Sequence, residues 1–299
     1  MAGHDLRAGS QISLFAEFYD ILHAGLGDVE AYTGYARRFS RPACDPGDPD
    51  SPGDSSSPSW TACRADAPGP LSAFREHPKV LELGSGTGRI LIPMAAAGFR
   101  VTGVDKSDEM IALCMEKLGR EPDSTRSRVR LVIGDVGDID LGETFDLVIA
   151  PCNLLTYMTQ RDQALSLFET ARRHLKDSGV FIMDCSIPDV RLMVNCDGVP
   201  RTFEFEHPLT GTTIAYTLTP YYDFVNQLET DHLVLEERDG DDVLRREETT
   251  EKLAFYFPRE VRLMLEVSGL EVFHEQGSVV ENVPLNEHAG EMVFFARKA

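Results

Sequence analysis

Two kinds of hydrophobic spacing divide this chain. From residue 79 to about 184, short apolar runs alternate with stretches of helical periodicity, the pattern of a parallel sheet covered by helices. The runs predict strands over 79–83, 100–104, 128–133, 145–150 and 180–184. Between them the spacing predicts helices over 88–97, over 107–118 with Ser107 as N-cap, and over 161–175, stopped near Gly179. Beyond residue 200 the apolar positions fall into long alternating runs, which predict antiparallel strands over 201–207, 212–222, 224–237 and 243–256, with Asp239-Gly240 as a hairpin turn. Pro258 opens a helix to about Ser268, Gly269 stops it, and 270–274 and 292–297 read as the last two strands. Ahead of all this, Leu14, Phe15, Phe18, Tyr19, Ile21 and Leu22 mark one or two helices within 11–39.

Composition adds a boundary. Residues 41–70 are rich in Pro, Gly, Ser and Asp, too poor in apolar area to offset ordering, and read as a mobile surface insertion. The chain therefore divides into 1–40, 41–70, a core over 71–200, an antiparallel part over 201–257, and an end piece over 258–299. At 299 residues and 42% hydrophobic composition it can bury a substantial core.

Charge removes a class of partner. With 29 Lys and Arg against 49 Asp and Glu, a net charge of -20, the chain repels polyanions, and the densest basic stretch, Arg120 to Arg130, is interrupted by Glu121 and Asp123. Nucleic acid is not expected as a partner. The six cysteines, Cys44, Cys63, Cys114, Cys152, Cys185 and Cys196, form no Cys-x-x-Cys pair and no zinc spacing with His, so reduced thiols and no metal are expected. No apolar segment suggests a signal peptide or a membrane span, which makes the cytoplasm the expected compartment.

The chemistry concentrates at the first strand-to-helix turn. Leu83-Gly84-Ser85-Gly86-Thr87-Gly88 ends a strand and enters a helix, so a ligand's polar end can lie against bare backbone at the helix start. The Gly-x-Gly-x-Gly spacing departs from the Gly-x-Gly-x-x-Gly dinucleotide fingerprint. The second strand ends at Asp105, about 20 residues on, where a ribose diol would meet a carboxylate.

With these residues the sequence resembles the class I S-adenosylmethionine-dependent methyltransferases, small-molecule branch, strongly over about 79–184. The resemblance rests on Glu82-Leu83-Gly84-Ser85-Gly86-Thr87-Gly88, on Asp105, on Gly134-Asp135-Val136 after the third strand, on the fourth strand Phe145 to Ala150 with Pro151 to Leu155, and on the lead from Leu175 to Ile182, which lacks the usual Pro and first Gly. It implies an α/β fold: a Rossmann-like, mainly parallel seven-stranded sheet with helices on both faces, its last strand inserted antiparallel, and an antiparallel β subdomain after strand five. It further implies a helical lid in 1–40 and a lid over the substrate in 201–257. The implied cofactor is S-adenosylmethionine, held by Glu82, Gly84, Ser85, Gly86, Gly88, Arg89, Asp105, Lys106, Met110, Asp135, Val136, Pro151 and Tyr19, with Asp105 on the ribose and Asp135 and Val136 at the adenine.

The implied activity is methyl transfer to nitrogen or oxygen of a small molecule. Nucleic-acid and protein-amide enzymes of this kind often carry Asn/Asp-Pro-Pro-Tyr/Phe after strand four, where this chain has Ala150 to Met158, and Phe18-Tyr19-Asp20 resembles the N-terminal element of small-molecule enzymes. An inactive partner subunit and a protein or RNA methyltransferase are the competing expectations. No catalytic base is assigned. Tyr157 is a pocket residue or packs under the following helix, His23 is a base or a surface residue, Tyr19 a lid or a core aromatic, and Arg89 pairs with the cofactor carboxylate or with a neighbouring acid. Phe203, Phe205, Tyr216, Tyr221, Tyr222 and Phe224 line a pocket, pack a sheet face or form a dimer interface, so a homodimer stands as an open expectation.

Overall fold

The computed structural model describes residues 13–39 and 78–299. The 41–70 insertion, Cys44 and Cys63 lie outside the described residues. The chain runs α1 (Leu14–Leu22), α2 (Asp28–Phe39), β1 (Lys79–Leu83), α3 (Leu91–Ala96), β2 (Arg100–Asp105), α4 (Asp108–Gly119), α5 (Asp123–Arg126), β3 (Val129–Ile133), β4 (Phe145–Ala150), a 3-10 turn (Leu154–Tyr157) and α6 (Arg161–His174). It continues through β5 (Leu175–Ser186), α7 (Val190–Cys196), β6 (Arg201–Glu206), β7 (Thr213–Asp223), β8 (Leu228–Asp239), β9 (Asp242–Ala254), α8 (Pro258–Val267), β10 (Leu270–Gln276) and β11 (Glu291–Lys298).

The main sheet has the order β10-β11-β5-β4-β1-β2-β3. β1 pairs parallel with β2 and β4, whereas β11 is antiparallel to both β5 and β10, the inserted last strand of the expected architecture. β1, β2 and β4 are buried along nearly their whole length because helices cover both faces, and each face has its own apolar core. The reversal of strand order between β1 and β4 opens a crevice at the carboxyl ends of these strands, where ligands of such sheets bind.

Strands β6 to β9 form a separate antiparallel sheet in sequential order. Its inner face carries Ile214 and Leu235, which pack with Leu14 and Phe18 of α1. Arg245 of β9 reinforces this contact, donating to Glu17 at 2.8 and 2.9 Å and to Glu237 at 2.6 Å, and Glu247 accepts from the Leu14 amide at 2.6 Å. The N-terminal helix is thus clamped under the second sheet.

Four elements differ from the expectation. The third helix begins at Leu91 rather than residue 88, because residues 84–90 are spent on the glycine turn. The helix over 161–175 ends at His174: Leu175 turns to extended backbone and pairs with Phe145, so β5 starts there and Gly179 lies inside it rather than stopping the helix. The strand expected over 224–237 starts at Leu228, since Asp223 Oδ1 accepts from the amides of Val225 and Asn226 at 3.0 Å and Gln227 takes φ 54°, making a turn. Helix α7 was not anticipated; its N-cap Asp189 accepts from Arg191 and Leu192.

Candidate active site

The glycine turn hangs from β2. The amides of Gly84 and Ser85 both donate to the Val104 carbonyl, at 2.8 and 3.0 Å, and the Gly86 amide donates to Asp105 Oδ2 at 2.7 Å. Asp105 Oδ1 accepts from Ser107, so the carboxylate is fixed at the carboxyl end of β2 beside the turn. Gly84, Gly86 and Gly88 all have positive φ, a conformation side chains resist. At Gly88 a Cβ would stand 2.4 Å from Cys114 Sγ, whereas at Gly86 it would meet nothing within 4 Å. The turn is therefore packed from below and open above.

Three polar atoms around this turn are buried and lack a hydrogen-bond partner among the described residues: Glu82 Oε2, Ser85 Oγ and Arg89 Nε. Buried polar atoms are almost always satisfied, so unsatisfied ones beside an open backbone cradle mark a ligand's place. Burial lifts the Glu82 carboxyl well above the usual range, although Arg89 pulls it back. A cofactor bearing an amine, a carboxylate and a ribose fits this set of donors and acceptors.

Helix α1 closes the turn from the front. Asp20 accepts from Thr87 Oγ1 and from Lys117 Nζ, each at 2.5 Å, tying α1 to the glycine turn and to α4. Behind it, the Arg89 guanidinium grips Asp28 with two bonds of 2.6 Å and touches Cys152 Sγ at 2.9 Å, the neighbouring-acid arrangement. Burial opposes ionisation of Asp28, yet the Arg89 hydrogen bonds and charge carry its carboxyl below the usual range.

The loop after β4 is held in an unusual shape. Cys152 and Asn153 have φ near 58° and 59°, uncommon for residues with side chains. Their amides donate to Asp184 at 2.9 and 3.0 Å, and Asp184 also accepts from the Tyr32 hydroxyl of α2. Burial raises the Asp184 carboxyl above its ordinary value while these donors pull the other way. Asn153 in turn accepts from the Ser186 amide at 2.6 Å. This fixes the 3-10 turn and aims Tyr157 at Glu251 of the second sheet, whose carboxyl is raised by burial and drawn back by its hydrogen bond with Tyr157. Tyr157 therefore stands at the junction of the two sheets, 42% exposed, rather than under α6.

The remaining expected residues are placed as follows. Val136 and Pro151 are buried, Met110 is half-buried on α4, and Lys106 is exposed close enough to lower Glu251. Asp135 is exposed, its Oδ1 accepting from the Gly137 amide at 2.8 Å. Tyr19 is half-buried and its ring stacks on His23 at 4.1 Å. His23 Nδ1 donates to the Tyr19 carbonyl at 2.8 Å, and burial lowers the imidazole's pKa. Together with Asp20, Gly25, Gly27 and Arg89 it lines a recess of about 310 Å³ beside the turn.

A second cavity of about 210 Å³ lies between the sheets, lined among others by Thr156, Ser186, Arg201, Tyr222, Glu229 and Phe255. Phe203, Phe205, Tyr216 and Tyr222 share the face of the second sheet that looks toward it, by strand alternation, while Tyr221 stands on the opposite face against His232. Sequence reading missed Asp28, Asp184, Glu229, Asp231 and Glu251. A usable signal existed for two of them: Glu229 and Asp231 occupy the same parity in β8 as Leu233 and Leu235, so acids stood where the alternation demanded apolar residues.

Fold and site together define an α/β protein that binds a nucleoside-bearing cofactor across β1 and β2. A methyltransferase domain family matches residues 80–179. The cypemycin N-terminal methyltransferase of Streptomyces sp. is 30% identical over 199 residues, 67% of this chain and 75% of that protein. The putative methyltransferase YqeM of Bacillus subtilis is 31% identical over 114 residues, 38% of this chain, and the match spans only 44% of its length. The solved CcbJ methyltransferase of Streptomyces caelestis superposes with a TM-score of 0.63 at 26% identity, over 77% of this chain and 86% of that one. The chain belongs to the class I S-adenosylmethionine-dependent methyltransferases. No helix among the described residues is long and apolar enough to cross a membrane.

Proposed function

We propose that this chain transfers a methyl group from S-adenosylmethionine to nitrogen or oxygen of a small molecule held between the glycine turn and the second sheet. The observation that carries this reading is the cavity of about 210 Å³ between the sheets, lined by Thr156 of the loop after β4, Ser186 at the end of β5 and Glu229 of the second sheet, a volume that suits a small molecule rather than a folded macromolecular surface. The N-terminal methyltransferase and CcbJ likenesses support it. The net charge of -20 supports small molecules over nucleic acid as partners. A cytoplasmic location and a homodimer belong to the same proposal.

When bound, the cofactor supplies an activated methyl group on a cationic sulfur, and the protein's task is alignment, desolvation and proton handling. Glu82, Ser85 and the Gly84 to Gly88 backbone hold its amino-acid end, with Arg89 Nε left for the carboxylate. Asp105 takes the ribose, with Lys106 and Met110 beside it. Asp135 and Val136 border the base, and Pro151 and Tyr19 flank the reacting end. Tyr157 lines the path of the acceptor, and His23, in its separate recess, is kept neutral by burial.

The test is incubation of the protein with methyl-labelled cofactor and a metabolite extract, with the product identified. Label on a small molecule, and loss of cofactor binding in Asp105→Ala, are the expected results. Label confined to protein or RNA, or retained binding in Asp105→Ala, refutes the reading.

A further inference from the structure

On the inner face of the second sheet, three carboxylates converge where the fold would otherwise place apolar side chains. Glu229 and Asp231 are successive inward positions of β8, and Glu251 of β9 is the cross-strand partner of Asp231. Asp231 is 6% exposed, and its Oδ1 has no hydrogen-bond partner among the described residues. Glu229 lines the cavity between the sheets, Asp231 is its inward neighbour on β8, and Glu251 lies against Tyr157 of the 3-10 turn. An isolated buried carboxylate is costly, and an arrangement that leaves one without a donor beside a cavity is completed by a donor from outside.

We infer that Glu229 and Asp231, with Glu251 beside them, form the recognition site for a cationic aliphatic amine, and that the Glu229–Asp231 pair holds the proton the amine must give up before it is methylated. The inference rests on the methyltransferase reading and names its substrate class. A metal ion is not the fitting occupant, because no group of three or more ligand side chains among the described residues is arranged to hold one.

The groups facing the pair account for its proton affinity. Burial and the adjacent Glu229 push the Asp231 carboxyl up to about 8, and Glu251 adds to this. Arg201 of β6 pulls the other way. Tyr216 and Tyr222 of β7 and Tyr157 of the 3-10 turn have hydroxyls whose own pKa values burial raises, so they remain neutral, and Lys106 acts on Glu251. Near neutral pH the pair therefore keeps one proton. When an ammonium enters, that proton leaves to water, and the pair then takes one from the ammonium, freeing the nitrogen lone pair. In the transfer itself the nitrogen–carbon bond forms, the carbon–sulfur pair stays on sulfur, and the product carries the positive charge as an alkylammonium. Binding of an ammonium thus releases about one proton, wherever the remaining proton sits.

The experiment is isothermal titration of the protein saturated with S-adenosylhomocysteine, using cyclohexylamine and cyclohexanol as probes at pH 7 in two buffers of different ionisation enthalpy. The amine binds with release of close to one proton, and the alcohol binds at least 10-fold more weakly without release. Asp231→Asn weakens amine binding at least 10-fold and abolishes the release, and Glu229→Gln reports the same pair in case one variant misfolds. Affinity for S-adenosylhomocysteine is unchanged in a folded Asp231→Asn protein. Equal affinity for the two probes, no amine binding, or unaltered proton release in both variants overturns the inference. Failure of the wild-type chain to bind S-adenosylhomocysteine would instead overturn the methyltransferase reading beneath it.

Discussion

Replacing Asp184 by Asn tests whether one buried carboxylate holds the loop that borders the methyl-transfer position. In the wild-type chain Oδ1 accepts from the Tyr32 hydroxyl and the Cys152 amide, and Oδ2 accepts from the Asn153 amide at 3.0 Å. The Asn carbonyl can serve the first two donors, but its NH2 must then face the Asn153 N–H. One hydrogen bond to a charged acceptor is lost, worth about 1.5–3 kcal/mol, and a buried amide is left unsatisfied, at about 1–3 kcal/mol, part of it the same loss. A net cost of about 3 kcal/mol follows, a large share of a typical stability of roughly 5–15 kcal/mol. With an unfolding entropy of about 2.1 cal/mol/K per residue, a chain of this size should lose about 5 °C in Tm. Because Cys152 and Asn153 hold positive φ only while their amides are bound, the loop relaxes in the variant and kcat falls more than cofactor affinity. Tyr32→Phe removes one donor and leaves the carboxylate two others, so it should cost only about 1 kcal/mol. Differential scanning calorimetry, cofactor titration and turnover measured on the three proteins decide the matter. An Asp184→Asn protein with wild-type Tm and kcat would refute the reasoning.

Gly88→Ala should destabilise the fold and the cofactor site together, since its Cβ would lie 2.4 Å from Cys114 Sγ at a φ of 78°. Gly86→Ala, with nothing within 4 Å, should cost about 1 kcal/mol of backbone strain but weaken S-adenosylhomocysteine binding sharply, and equal affinities in the two variants would contradict the open-topped turn. Asp28→Ala leaves the Arg89 charge half-buried and unpaired and should lower stability by about 3 kcal/mol, measurable by urea unfolding, whereas a midpoint like that of wild type would mean the pair contributes nothing net. The contribution of Asp231 to the stability of the unliganded protein should fall as pH rises from about 4 to about 8, because over that window the native Asp231 carboxyl holds a proton that the unfolded chain, at its ordinary value of 3.8, has released. Asp231→Asn should flatten this dependence relative to wild type; parallel urea-midpoint profiles from pH 5 to 8 would show that the group is not titrating there.

The strongly periodic elements were legible in the chain itself. A run such as Leu147 to Ala150 is apolar at consecutive positions because both of its faces are covered, and that requirement is written locally. The glycine turn with Asp105 was legible for a related reason: positive φ and an unobstructed backbone each demand glycine at fixed spacing. Boundaries were less visible where one residue's conformation arbitrates, as at Leu175, where the helix passes directly into a strand. Helix α7 escaped because about two turns of helix with Val190, Leu192 and Val194 exposed carry little periodicity.

The side-chain constellations belong to the tertiary structure alone. Asp28 and Arg89, or Tyr32 and Asp184, are separated by 61 and 152 residues, and only the packing of α2 against the sheet brings each pair together. Asp231 and Glu251 meet through the register of β8 on β9, and a slip of one residue would turn them to opposite faces. The sequence by itself determined the fold class and the cofactor turn, because backbone conformation and periodic burial are local demands on residue type, while the chemistry of the cofactor came from the resemblance that the motifs around that turn carry. Which acids surround the acceptor, and which hydroxyl and amides hold the loop above it, were decided by strand register and helix docking, whose energies come from contacts that no local stretch of sequence contains.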